Sequence, residues 1–484
     1  MNPSGPLIAP PPASTPSAAA MRLLPWLVAV AFFMESLDTT ILNTAVPTVS
    51  AALGVTPLSM KAVLASYTLS LAVFIPISGW MADRFGTRRV FASAIGLFTL
   101  GSFLCGVSGN IHLLVACRIL QGCGGAMMVP VGRLTLVRTF AKSELLRAMS
   151  FVSIPALVAP MLGPIAGGLI VGYLHWRFIF FLNIPIGLAG LVLVYLHLPD
   201  YREENTPPLD VVGLILFGSG IGLLSYVLEI FGEHTLSAGE MSGLLVTSLV
   251  LLAGYGIHAK SLEFPLLQLR LFSIRTFRAA AGGGFFTRLG IGGVPFLLPL
   301  LYQVGLGFTP IQSGLLLMPQ ALAAMCIKPF MPELLRRIGY RGVLISNTAI
   351  LGVLLMVFAT IGLRTPVWAI VLLAFLYGAF TSLQYTSMNT LVYADITDPD
   401  ASSASSIAST MQQMAISFGV AIAGLATAFF IPSSYSDPAE MIRGLHKALF
   451  ALGILTIAST IVFRSLKSGD GNDVSRQKSL HPGG

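Results

Sequence analysis

The chain has 484 residues, of which 55% are hydrophobic and only 10% charged, with a mean hydropathy of +0.83. Soluble proteins carry about 25% charged residues, so a water-soluble globular domain is excluded. A net charge of +8 would suit nucleic acid in a soluble chain, but its distribution here points to a membrane.

Residues 1–21 are rich in Pro, Ala and Ser and hold no charged side chain, so they read as a disordered cytoplasmic tail. The first apolar run follows without a basic leader and contains acids, which predicts a retained span rather than a cleaved signal peptide. Crossing the hydrocarbon takes about 20 mostly apolar residues. Runs of that kind begin near Leu23, Ser59, Val90, Ile111, Met149, Phe178, Val211, Ser242, Ala279, Ile311, Val343, Val367, Ser405 and Leu445, fourteen in all. The expected fold is an all-α polytopic membrane protein with 14 transmembrane helices. It divides into one six-helix half (22–198), two inserted central spans with their loops (199–262), a second six-helix half (263–466) and a cytoplasmic tail (467–484).

With the N-terminus inside, the inner segments hold 19 Lys and Arg and the outer ones 5. That asymmetry sets orientation, and an even number of spans returns the C-terminus to the cytoplasm. The basic excess therefore meets lipid headgroups, and nucleic acid is not an expected partner. Cys105, Cys117, Cys123 and Cys326 all lie inside apolar runs, so neither a zinc site nor an extracytoplasmic disulfide is expected.

Gly122, Gly163 and Gly168 recur as Gly378, Gly419 and Gly424 at an offset of 256, always eight spans later. The loop residues Gly86, Thr87 and Arg88 have a looser counterpart in Gly339, Tyr340 and Arg341, at an offset of 253. Two related halves with extra spans between them suit an alternating-access transporter, whose site lies between the halves near the midplane.

Intramembrane charges mark the candidate site. Glu35 and Asp38 lie three apart on one face of span 1, about halfway along it. Burial and a like charge one turn away both favour sharing a proton; a polar helix contact is the plainer alternative. Arg118, several residues into span 4, needs a carboxylate, carbonyls or water, and either tunes the span 1 acids or holds span 4 to a neighbour. Arg288, in mid-span 9, either meets an anionic group or pairs with Glu35 or Asp38. Gln384, Asn389, Gln412 and Gln413 are candidate cavity groups, with interhelical hydrogen bonding equally open, and Gln121 is a further cavity candidate.

Four motifs now carry a family resemblance. Gly79-Trp80-Met81-Ala82-Asp83-Arg84-Phe85-Gly86-Thr87-Arg88-Arg89 resembles the major facilitator loop signature between spans 2 and 3. Leu37-Asp38-Thr39-Thr40-Ile41-Leu42-Asn43-Thr44-Ala45-Val46-Pro47 resembles the span 1 signature of drug:proton antiporters. Arg118 with Gln121-Gly122 resembles the span 4 arginine motif, and Gly163-Pro164-Ile165-Ala166-Gly167-Gly168 the core of the antiporter motif. Together they resemble the fourteen-span drug:proton antiporter family, from about residue 22 to 466.

The resemblance implies a major facilitator fold, a location in the bacterial inner membrane, and proton-coupled export of amphipathic, often cationic, small molecules. It gives Asp38, Glu35 and Arg118 to proton coupling. Asp83, Arg84, Arg88 and Arg89 become a cytoplasmic gate of ion pairs, with Gly79 and Gly86 allowing close approach and tight turning. Gly163, Pro164, Gly167 and Gly168 would seal the cytoplasmic pathway, with close helix packing alone as the alternative for the glycines. Export of an endogenous metabolite, or ligand sensing without flux, are the alternatives on the same fold. No P-loop for an ATP-driven pump is present, and the seven His are scattered, so neither an enzyme, a metal nor a cofactor is expected. The substrate and protons are the expected partners, and no oligomer is required.

Overall fold

A computed structural model of the chain describes residues 18–140, 142–203, 206–230, 237–397, 400–431, 438–467 and 469–471. Every regular element among these residues is helical. Hydrocarbon leaves backbone N–H and C=O groups no water to bond, so each apolar run must satisfy them internally. The first group contains α1 (Ala18–Leu53), α2 (Lys61–Phe74), α3 (Ser78–Phe85), α4 (Thr87–Val107), α5 (Ile111–Thr139), α6 (Lys142–Tyr173), α7 (Phe178–Phe181) and α8 (Asn183–His197). Two central helices follow, α9 (Val211–Ile230) and α10 (Ala238–Ser261). The second group is α11 (Arg275–Ile291), α12 (Val294–Leu300), α13 (Pro310–Cys326), α14 (Met331–Phe358), α15 (Val367–Leu391), α16 (Ala401–Phe430), α17 (Pro438–Ala458) and α18 (Thr460–Phe463).

Twelve stretches of the described residues are long and apolar enough to cross a membrane, fewer than the fourteen expected. Two particulars account for the difference. The spans expected from Ile311 and Val343 fall in one stretch, Pro310–Phe358, and the described apolar part of the span expected from Met149 is the shorter Val158–Tyr173. The tail residues 1–17 and 472–484, with Arg476 and Lys478, lie outside the described residues.

The repeat is visible in local backbone chemistry. Gly86 ends α3 with φ +95°, and Gly339 breaks α14 with φ +76°. Left-handed backbone of that kind is costly for a residue with a Cβ, which is why glycine recurs at both turns. Thr56 caps the turn before α2 by accepting from Ser59 N–H, and Thr309 caps α13 by accepting from Gln312 N–H. Each threonine precedes a proline, whose missing N–H costs nothing in a first turn. Gly122 on α5 packs against the Tyr67 carbonyl of α2, and Gly378 on α15 against the Gln320 carbonyl of α13.

The two groups meet at one end of the bundle. There a single buried apolar cluster draws Val46 and Trp176 from the first group and Leu297, Leu355 and Leu449 from the second. Gln303 Nε2 donates to the Thr44 carbonyl at 2.8 Å, and Ser417 Oγ to the Ala65 carbonyl at 3.1 Å. Glycines allow two close helix crossings: Gly168 of α6 against Pro310 of α13, and Gly424 of α16 against Lys61 of α2. At the other end the apolar core is split. Phe32, Phe91 and Met128 form one cluster, while Phe277, Leu344 and Phe463 form another. Helix α9 packs on both α2 and α16, and its Phe217 and Ile221 join the second of these clusters.

Candidate functional site

Asp38 and Arg118 meet inside the first group. Both are 1% exposed, and Arg118 Nη1 donates to Asp38 Oδ2 at 2.5 Å. Gln121, one turn further along α5, donates to Asp38 Oδ1 at 2.9 Å and accepts from Arg118 at 2.8 Å. Asn183, the first residue of α8, also donates to Asp38 Oδ1, at 3.0 Å, and to Ser102 Oγ of α4. Three N–H donors thus face one carboxylate, a shell suited to its anion. The guanidinium carbon lies 4.2 Å from the centroid of the Tyr67 ring, a cation–π contact on its free face.

Sequence reasoning placed Asp38 and Arg118 in the site but missed Asn183, Ser102 and Tyr67. Asn183 is the one amide in its apolar run, which was the available signal. Gln121, expected in a cavity, is instead fully buried as a bridge between acid and base. Glu35 stands apart: it is partly exposed, and the charges acting on it are Asp38 and the Arg133 guanidinium. Arg133 in turn lies over the Phe32 ring.

At the split end, Asp83 accepts from Arg138 of α5 at 2.8 Å, and the same Nη2 reaches Glu203 at 3.0 Å. The acid's partner is therefore Arg138, not one of the arginines beside it in sequence. Among the described residues Arg84, Arg88 and Arg89 make no ion pair, although the Arg88 N–H donates to Asp200 Oδ1 at 3.1 Å. Asp200 thereby caps the start of α4 from a distant segment, where a helix N-terminus favours an anion. Thr87 and Tyr201 exchange two hydrogen bonds at 3.0 Å, and Trp80 Nε1 donates to the Pro207 carbonyl. The segment after α8 thus straps the loop motif. Gly86 makes the tight turn, whereas Gly79 faces open space and allows no close approach.

On α6 the glycines divide between two neighbours. Side chains at Gly163 or Gly167 would overlap Thr40 and Ile41 of α1, while one at Gly168 would strike α13. The Pro164 carbonyl fills the space that Gly314 leaves on α13. This motif is a three-helix junction carrying the carboxylate helix α1 on one side.

In the second group Arg288 bonds Gln412 Oε1 at 3.2 Å and Asn389 Oδ1 at 3.5 Å, with its guanidinium carbon 4.5 Å from the Tyr385 ring centroid. It bonds neither Glu35 nor Asp38. Gln384 is fully buried: its Nε2 donates to Thr348 Oγ1 and its Oε1 accepts from Asn347, so it links α14 to α15 rather than lining a cavity.

Two related helical groups joined at one end, with a buried ion pair inside one of them, define a polytopic membrane transporter. The chain belongs to the Major Facilitator Superfamily, whose sequence model matches residues 28–420. It is 42% identical to the "Putative multidrug resistance protein MdtD" of Serratia proteamaculans (strain 568), over 83% of this chain and 84% of that one. A protein of the same name from Escherichia coli O6:K15:H31 (strain 536 / UPEC) is 40% identical over 92% of this chain and 93% of its own. In fold the chain is similar to a D-xylose-proton symporter (TM-score 0.66, 14% identity, covering 93% of this chain and 99% of that one). It is also similar to a POT family transporter crystallised with 5-aminolevulinic acid (TM-score 0.66, 16% identity, covering 91% and 95%).

Proposed function

We propose that this chain is a proton-coupled antiporter that exports amphipathic small molecules across the bacterial inner membrane by alternating access. The observation that carries the reading is the Asp38–Arg118 pair, a desolvated acid and base inside a transporter fold. The relatives named multidrug resistance proteins support the class of cargo. Asp38 is the proton carrier, Arg118 the group that tunes it, and Glu35 a partner acid nearer the open side. Asp38 takes up a proton when the site faces outward, releasing Arg118 from its counter-ion. It gives the proton up when the site faces inward and the pair re-forms.

The reading has fourteen spans and both termini in the cytoplasm. Pro310–Phe358 has 49 residues, more than twice the roughly 20 that one crossing needs, and Gly339 supplies a turn between two crossings. Helix α6, at 32 residues, supplies the remaining span. The halves are 22–198 and 263–466, with 199–262 inserted between them. The 19:5 charge split puts the split end of the core in the cytoplasm. The conformation is then inward-open, with Asp83, Arg138 and Glu203 at its mouth, and the ionised pair is the form expected after proton release.

The test is flux from proteoliposomes under an imposed pH gradient. Ethidium should move only when the gradient is present and protons should move the opposite way. Movement without a gradient at the same rate would remove proton coupling from the reading.

A further inference from the structure

We propose that Arg288, with Gln412, Asn389 and Tyr385, is a receptor for a carboxylate group on the transported compound. The proposal deepens the export reading and rests on it for the word "transported". The site itself rests on geometry.

Arg288 is 4% exposed, nearly as buried as Arg118 at 1%. The two differ in what surrounds them. Arg118 has a carboxylate at 2.5 Å, whereas Arg288 has only neutral amide oxygens and an aromatic face. Among the described residues no carboxylate is within ion-pairing distance of it. Its Nε, like that of Arg118, is buried and has no hydrogen-bond partner, but Arg118 has its anion and Arg288 does not. A desolvated guanidinium without a counter-ion is among the costliest groups to bury, and removing an anion from such a cation is strongly unfavourable. An anionic group arriving at the guanidinium would offset that cost.

Access and shape fit that role. Asn389 is exposed, and Tyr385 and Gln412 are partly exposed, so the polar side of the guanidinium borders space that a solute reaches. Gly284 leaves the room that Nη1 occupies; a side chain there would meet it at 2.7 Å. A planar guanidinium fork matches a carboxylate bidentately, and Tyr385 stacks on it as a flat wall.

The repeat adds a second argument. Gly163 packs against Thr40 of α1, and its counterpart Gly419 against the Arg288 carbonyl and Gly292, so Arg288 lies on the second-half segment that answers to the Glu35–Asp38 helix of the first. One half therefore presents an acid and the other a base on corresponding helices. Compounds that carry a carboxylate, zwitterions included, fit this polarity; a purely cationic compound uses only the Glu35 side.

The experiment measures binding of the amphipathic carboxylate naphthaleneacetate and of its neutral methyl ester to the purified full chain by calorimetry. A charge-assisted hydrogen-bonded contact predicts a preference for the acid of roughly tenfold or more. That preference should collapse in Arg288→Gln and be partly kept in Arg288→Lys. Gln412→Glu, which builds a counter-ion beside Arg288 and keeps the shape, should collapse it too and covers the case in which Arg288→Gln does not fold. Equal binding of acid and ester to the wild type, or an undiminished preference in both variants, overturns the proposal. So does displacement of naphthaleneacetate by chloride at equal concentration, which would assign the site to inorganic anions. Gradient-driven ethidium flux is measured in parallel: its absence in the wild type counts against the export reading alone, because the binding comparison does not depend on it.

Discussion

Arg118 donates to Asp38 at 2.5 Å with side chains only 1% and 0% exposed, so neither charge has water as a substitute partner. Desolvating two ions is expensive, and their attraction offsets that cost only while both are present. Asp38→Asn should therefore cost about 3–5 kcal/mol of stability by stranding Arg118. Gradient-driven export should be abolished. The double variant Asp38→Asn with Arg118→Gln should recover most of the stability and none of the export. Thermal unfolding in detergent and proteoliposome flux read the two effects separately; wild-type flux in Asp38→Asn would shift the proton to Glu35.

The mouth ion pair is a weaker device. Arg138 and Asp83 are 22% and 32% exposed, so water competes for both. Pairs of that kind contribute about 0.2–1 kcal/mol. Asp83→Asn and Arg138→Gln should each change the reactivity of engineered cysteines on the cytoplasmic side severalfold, and by similar amounts. If neither variant alters it, the gate role is wrong.

Two glycines in the family motifs should respond to alanine with opposite sign. Gly167→Ala forces a methyl group into the Ile41 carbonyl of α1 and should destabilise by about 1–3 kcal/mol. Gly79→Ala places its methyl group in open space on a helix and should be neutral or stabilising by up to about 1 kcal/mol. Melting temperatures of the two variants, side by side, check the pair of signs.

Asp210 supplies a pH-dependent term outside the spans. Burial acts to raise its pKa, but His258 Nε2 and the N–H groups of Gly213 and Leu266 outweigh that and hold it below the ordinary value. A lowered carboxylate contributes stability that is complete above its ordinary value of about 3.9 and is lost as pH falls through the depressed one. Asp210→Asn should cost about 1.5–3 kcal/mol at pH 7. The gap between variant and wild type should stay constant down to about pH 5 and close only at stronger acid. A gap that closed between pH 7 and 6 would overturn the assignment to the Asp210 carboxylate.

Topology has its own test. Reporter fusions placed after Tyr201 and after Lys467 should both give cytoplasmic signals. A periplasmic signal at either position means the spans are miscounted.

Much of the fold was readable because lipid imposes long apolar runs and glycine marks close crossings. Gly86 and Gly339 illustrate the gain: a loose likeness in sequence proved to be the same positive-φ turn. The charged part of the site was readable for a related reason, since Asp38 and Arg118 are conspicuous in apolar surroundings. Asn183, Ser102 and Asp200 were not. Neutral polar residues occur throughout such chains, and it is the packing of α8 on α1 and α4 that brings Asn183 to Asp38 and Ser102. Lys61 shows the converse failure. It is one of the five Lys and Arg assigned to the outer segments, yet it is 2% exposed and lies along Gly424, because α2 and α16 cross there.

Helix α9, laid on both α2 and α16, makes the two flanks of the molecule unequal. The flank formed by α6 and α13 keeps Leu162, Leu169, Leu315 and Leu322 exposed, as a face bathed in acyl chains should. The opposite flank is walled by protein. A compound dissolved in the bilayer thus finds the transporter sided within the plane of the membrane, approachable through lipid from one direction and screened from the other. Neighbouring copies would compete for dissolved cargo according to how they are turned, and not only how densely they are packed.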